Sequence, residues 1–178
     1  MTDHIRRRLA DDLDAGFPEL VDEYGTLVVT IATRLTDAST GEDITQDVFL
    51  RAYRALAAYD ADRIGTLDLR PWLATIARNL VRNEYRRRDR KPVVSLDAAT
   101  HAEPAATDPE PLDLDGVDRV LADLTDAQRE AVVLRHVVGL PMREVALTMG
   151  CPDGTAKSHV SRGLARLRSA LDEKEASR

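Results

Sequence analysis

Two stretches of this chain carry amides, hydroxyls and guanidinium groups at helical spacing. In PDGTAKSHVSRGLARLRSAL, residues 152–171, the apolar positions Ala156, Val160, Leu164 and Leu167 recur every three or four residues. That is the period of a helix with one buried side. Thr155, Ser158, His159 and Arg162 then face outward near its N-terminal half, with Lys157, Arg166 and Arg168 to the side. In ARNLVRNEYRRRDRK, residues 77–91, Asn79, Arg82, Asn83 and Arg86 fall on one stripe with Thr75. Trp72, Ile76 and Leu80 lie opposite, and Arg87 opens a run of further cations. Amides and guanidinium groups hydrogen-bond base edges, and clustered cations neutralise phosphates. The chemistry on offer is recognition of nucleic acid, not bond-making. Each stretch alone also fits a solvated helix face whose cations favour a helix C-terminus.

The net charge of -6 opposes nucleic-acid binding only if charge is spread evenly. It is not. Residues 78–91 hold seven cations against Glu84 and Asp89, whereas residues 97–118 hold seven carboxylates and no Lys or Arg. Residues 150–171 are basic again, with Lys157, Arg162, Arg166 and Arg168 against Asp153. Local fields, not the sum, decide what a surface attracts.

Several function classes lack their residues. The four histidines, His4, His101, His136 and His159, are scattered, and Cys151 is the single cysteine. No internal disulfide is possible, and no metal-spaced cluster, Gly-rich phosphate loop or nucleophile elbow occurs. The expectation is a protein that is not an enzyme, with no cofactor, no metal and no small-molecule substrate. Cys151 is expected to be a small buried residue. No apolar run follows MTDHIRRRLADDLD, and none approaches the roughly 20 residues of a membrane span. A soluble, cytoplasmic setting is the default expectation.

The elements that must position these stripes are helical. Apolar residues are 43% of the chain but aromatics only 4%, so its cores are built from Leu, Val, Ile and Ala. PELVDEYGTLVVTIATRL, residues 18–35, reads as an amphipathic helix with Pro18 in its first turn. STGEDITQDVFLRAYRAL reads as a second, with Ser39 and Glu42 at capping-box spacing. DADRIGTLDLRP reads as a loop, and Pro71 opens a third helix with Trp72, Ile76, Ala77 and Leu80 inward. Residues 91–115, KPVVSLDAATHAEPAATDPEPLDLD, hold four prolines and no lasting periodicity, the composition of a linker. Beyond them, LTDAQREAVVLRHVVG carries Thr125 and Gln128 as a capping box and Gly139 as a stop. LPMREVALTMG follows, with Met142, Val145, Ala146 and Met149 inward, and the GCPDG turn leads into the basic helix. Two helices joined by a tight turn have the spacing of a helix-turn-helix, whose second helix lies in the DNA major groove. The expected fold is all-α: two small helical domains, residues 1–90 and 116–178, joined by an acidic flexible linker over 91–115.

Taken in order, these motifs resemble the bacterial sigma factors of RNA polymerase, specifically the extracytoplasmic-function (ECF) group, over nearly the whole chain. GEDITQDVFLRAYRAL resembles the segment that docks on the clamp helices of the beta-prime subunit, and RPWLATIARNLVRNEYRRRDR resembles the helix that recognises and opens the minus-ten element. Residues 124–171 resemble the domain that reads the minus-thirty-five element and meets the beta flap. The resemblance implies polymerase docking by Asp43, Gln46 and Asp47, with Ile44 and Phe49 also suited to the core. It implies minus-ten contacts from Thr75, Asn79, Arg82, Asn83, Arg86 and Arg87. It implies minus-thirty-five contacts from Thr155, Lys157, Ser158, His159, Arg162 and Arg166. The loop from Asp60 to Arg70 falls where the family captures a flipped base, which must repay a few kcal/mol of unstacking. His159 stands where the family commonly has arginine, which removes a permanent charge. Implied partners are core RNA polymerase, promoter DNA and an anti-sigma factor. The acidic linker would thread the polymerase channel. An autonomous helix-turn-helix regulator is the alternative, but it leaves the docking-like segment unexplained and finds no dimerisation helix here.

Overall fold

The computed structural model describes residues 2–90, 121 and 123–176, and every regular element among them is helical. The linker residues, including Asp108, Glu110, Asp113 and Asp115, lie outside the described residues. The N-terminal bundle comprises α1 (Thr2–Asp11), α2 (Leu13–Leu35), α3 (Ala38–Ala57), α4 (Ala61–Thr66) and α5 (Leu69–Arg90). The C-terminal unit comprises α6 (Asp126–Val132), which runs into a π-helical turn (Val133–Val137), then α7 (Met142–Met149) and α8 (Asp153–Ala176).

Caps explain where the helices begin, and they correct three expectations. Asp12 accepts the Ala15 amide at 3.1 Å, so α2 starts before Pro18 and carries that proline inside it rather than in its first turn. There the ring removes one backbone donor. At α3 the cap is Asp37, not Ser39: its carboxylate accepts the Thr40 amide at 2.9 Å and the Thr40 hydroxyl at 2.8 Å. The expected loop at 60–70 contains α4, capped by Asp60, which accepts the Arg63 amide at 2.8 Å. Short polar side chains outcompete a capping-box pattern when their own geometry suits the chain's entry.

α2 is the centre of the first bundle and packs on α1, α3 and α5. Leu20, Val28, Ile31, Val48, Leu56 and Leu73 are buried there. The buried side of α5 is Leu69, Leu73, Ala74, Ala77, Leu80 and Val81. Trp72 and Ile76 are only half-buried, so the inward face is rotated from the expected one. The reason is that α5 packs on two sides, against α2 and α3 and also against α7. Buried side chains of both units form one apolar cluster.

In the C-terminal unit the Thr125–Gln128 capping box forms in both directions. Gly150 sits at φ +63°, in the left-handed region that ends α7 without the penalty of a Cβ atom. The Cys151 amide then donates to the Ala146 carbonyl at 3.1 Å, closing the turn. Ala156 and Val160 bury the start of α8, while Leu164 and Leu167 are half-buried. At Gly163 a Cβ atom would stand 2.6 Å from Val132 Cγ2, so only glycine lets α8 lie this close to α6.

Candidate nucleic-acid interface

The α5 stripe is surface-exposed at Asn79, Arg82, Asn83 and Arg86. Thr75 is half-buried, and its hydroxyl donates to the Pro71 carbonyl at 2.7 Å, which leaves it only as an acceptor. Arg87 is exposed but holds Glu84 with two bonds of 2.8 Å. Arg88 holds the same carboxylate at 3.1 Å and reaches across to Asp37 at 3.0 Å and Thr40 at 2.7 Å. The hydrogen bond from Arg87, reinforced by Arg88, lowers the Glu84 carboxyl to about 2. Asp37 is also lowered, first by the Thr40 amide and then by Arg88. Arg88 therefore braces α5 against the start of α3, and Arg87 helps hold the Glu84 carboxylate that Arg88 shares.

On α8, Thr155, Lys157, Arg162 and Arg166 are exposed, and Ser158 and His159 are half-buried. They begin one turn after Gly150, on the second helix of a helix-turn-helix. Asp43, Gln46 and Asp47 are exposed on α3, above the buried Ile44. Phe49 is half-buried edge-on to Phe17, with centroids 6.4 Å apart, which fits the core role. Asp43 and Asp47 share a shallow cleft with Arg87 and Arg88. Docking-motif and minus-ten-motif residues are thus neighbours.

Other residues became visible only in three dimensions. Arg78, counted in the sequence with the basic run, is paired with Glu130 of α6, and both side chains are only 12% exposed. Burial pushes the Glu130 carboxyl up, and the charges of Arg78, Arg82 and His159 oppose that shift. Arg70 Nη2 donates to the Val138 carbonyl at 2.7 Å, a second bond between the units. No sequence signal announces a pair 52 residues apart across a linker. Near the expected base-capture loop, Arg63 lies 3.7 Å over the Tyr59 ring, and Trp72 is 6.4 Å from Tyr59. Cys151 is half-buried, contrary to expectation: it lines the cleft between the units and packs only at the edge of the apolar cluster. Among the described residues no group of three or more His, Cys, Asp or Glu is placed to hold a metal ion, and no helix is long and apolar enough to cross a membrane.

An exposed amide-and-arginine stripe in one helical unit and a helix-turn-helix in the next define a protein of the sigma-70 class. Residues 20–91 match sigma-70 region 2 and residues 114–167 match sigma-70 region 4. The ECF sigma factor SigC of Mycobacterium tuberculosis is 35% identical over 136 residues, covering 72% of this chain and 68% of that protein. The ECF sigma-E factor of Escherichia coli is 31% identical over 171 residues, covering 89% and 85%. Among solved structures, the sigma factor RpoE of Bartonella quintana, determined with the anti-sigma factor NepR, superposes with a TM-score of 0.70 at 28% identity, covering 88% of this chain and 96% of that one. CnrH, determined with the cytosolic domain of CnrY, gives 0.72 at 25% identity, covering 96% and 97%. The chain belongs to the ECF sigma factors: it binds core RNA polymerase and directs promoter-specific transcription initiation.

Proposed function

We propose that each step of initiation is carried by a particular face of this chain. Asp43, Gln46 and Asp47 on α3 dock on the beta-prime clamp helices. Asn79, Arg82, Asn83 and Arg86 on α5 read the minus-ten element, with Thr75 accepting at one edge and Arg87 contributing charge. Thr155, Ser158, His159 and Arg162 read the minus-thirty-five element, with Lys157 and Arg166 on phosphates, and the same unit meets the beta flap. The functional boundaries are residues 1–90, 91–115 and 116–178, and the acidic linker threads the basic channel of the polymerase. Tyr59, Arg63 and Trp72 are the groups nearest the site of base capture. The protein has no catalytic activity of its own and works in the cytoplasm, on the nucleoid within the holoenzyme. An anti-sigma factor holds it in reserve, as the named partner NepR suggests for the Bartonella neighbour.

The observation that carries this reading is that Asn79, Arg82, Asn83 and Arg86 of α5 and Thr155 and Arg162 of α8 stay exposed while Leu80 and Val81 of α5 and Ala156 and Val160 of α8 are buried. Docking is tested by charge reversal. Asp43→Arg with Asp47→Arg should weaken binding to core polymerase at least about tenfold without changing the melting temperature, because both side chains are exposed. Undiminished core binding would remove α3 from the docking site.

A further inference from the structure

We propose that Glu84 is a positioning residue for polymerase docking: it holds Arg87 and Arg88 on α5 and so keeps them off Asp43 and Asp47, leaving the docking carboxylates of α3 free. The inference rests on the assignment of Asp43 and Asp47 to polymerase made above. Asp43 and Asp47 stand one turn apart on α3, and with Glu84, Arg87 and Arg88 they line one open cleft of about 400 Å³. Two carboxylates needed by a partner therefore share a cleft with two guanidinium groups of their own chain. Arg88 already spans from α5 to Thr40, one turn before Asp43, so side chains from this part of α5 reach α3. Opposite charges within reach attract one another. Yet among the described residues neither Asp43 nor Asp47 forms an ion pair.

Glu84 intercepts both arginines. They lie three and four residues after it, the spacing at which side chains share a helix face. Its carboxylate accepts two bonds of 2.8 Å from Arg87 and one of 3.1 Å from Arg88. The Glu84 side chain is only 15% exposed, against 62% for Arg87 and 48% for Arg88, so the acceptor is fixed on the helix and the cations fold back to it. The two arginines are not equivalent. Arg88 also holds Asp37 at 3.0 Å and Thr40 at 2.7 Å, partners that keep it at the first turn of α3 without Glu84. Arg87 has Glu84 as its one ion-pair partner among the described residues. Removing the Glu84 charge therefore releases Arg87, and the unpaired carboxylates in its cleft are Asp43 and Asp47. A released Arg87 would neutralise one of them and weaken the local field of the docking face.

The test is affinity of the full-length chain for core polymerase, read by fluorescence anisotropy without DNA. Glu84→Gln keeps the size of the side chain and removes its charge. It is expected to weaken core binding about three- to fivefold, the scale of one exposed ion pair. The loss should shrink as salt rises, because exposed charges are screened. Glu84→Gln with Arg87→Gln lacks the same carboxylate and has less bracing still, yet is expected to recover wild-type core affinity. A merely structural role for Glu84 would not produce that rescue. Undiminished core binding by Glu84→Gln overturns the proposal. So does a loss that the second substitution fails to restore, since Glu84 would then act through the stability of α5. Asp43→Arg with Asp47→Arg keeps the two possible failures apart. If that reversal weakens core binding and Glu84→Gln does not, the role of Glu84 falls and the docking assignment stands. If neither weakens it, both fall.

Discussion

On α8, Lys157, Arg162 and Arg166 stand exposed with no ion-pair partner among the described residues. On α5 the arginines are largely engaged: Arg78 by Glu130, Arg87 by Glu84, and Arg88 by Glu84 and Asp37. The two helices carry similar charge in sequence and present different chemistry in space. α8 offers exposed cations suited to the backbone of an intact duplex, where attraction needs little geometric precision. α5 offers amides and two arginines on a helix braced to its neighbours. Fixed amides suit recognition of particular bases, because bidentate hydrogen bonds tolerate little displacement. A count of cations along the chain therefore overstates what α5 gives to phosphates.

The contrast can be broken most severely at the amides. Asn79→Ala with Asn83→Ala should reduce transcript from a cognate promoter by about 100-fold at limiting holoenzyme, since each base-edge contact is worth about 1–3 kcal/mol. Polymerase binding should not change. A uniform loss over all promoter sequences would show that α5 works through phosphates after all. Next in size, Arg162→Ala with Arg166→Ala should weaken holoenzyme binding about tenfold and reduce the slope of log affinity against log salt by about 2. An unaltered slope would remove these cations from the phosphate backbone. Thr125→Ala deletes a capping box and should lower stability of the C-terminal unit by about 1 kcal/mol, read by denaturant unfolding.

The smallest effect concerns the bracing itself. Glu84 is depressed from its ordinary value of 4.5 to about 2, so its contribution to stability is present above pH 4.5 and lost as pH falls toward 2. Glu84→Gln should therefore lower the melting temperature slightly at neutral pH, with the difference from wild type fading across that acid window. A difference that persists at pH 2 would mean that the Glu84–Arg87–Arg88 cluster acts by packing, not charge.

Much of this arrangement was legible before any coordinates. The 3.6-residue periodicity located α2, α3, α5, α7 and α8, because burial of one face dominates the energy of an amphipathic helix. The Thr125–Gln128 box and the glycine stop at Gly139, which sits at φ +76°, are local chemistry and were read directly. Misreadings came where local signals competed or where contacts were distant. Asp37 captured the α3 cap from Ser39 through a threonine three residues on. Trp72 and Ile76 fell outside the core because α5 has a second packing partner, a fact no single helix encodes. The Arg78–Glu130 pair stayed hidden for the same reason. Exposure of most of the two polar stripes followed from periodicity, but the ion pairs of the neighbouring arginines did not, since they depend on residues from α3 and α6.

The most direct measurement is run-off transcription from a promoter library, with this chain and core RNA polymerase added separately and together. The account predicts selective transcripts only when both are present, with variation in the minus-ten element sensitive to Asn79 and Asn83 and variation in the minus-thirty-five element sensitive to α8. Tight sequence-specific binding by the chain alone, with no effect on what core polymerase transcribes, would contradict it.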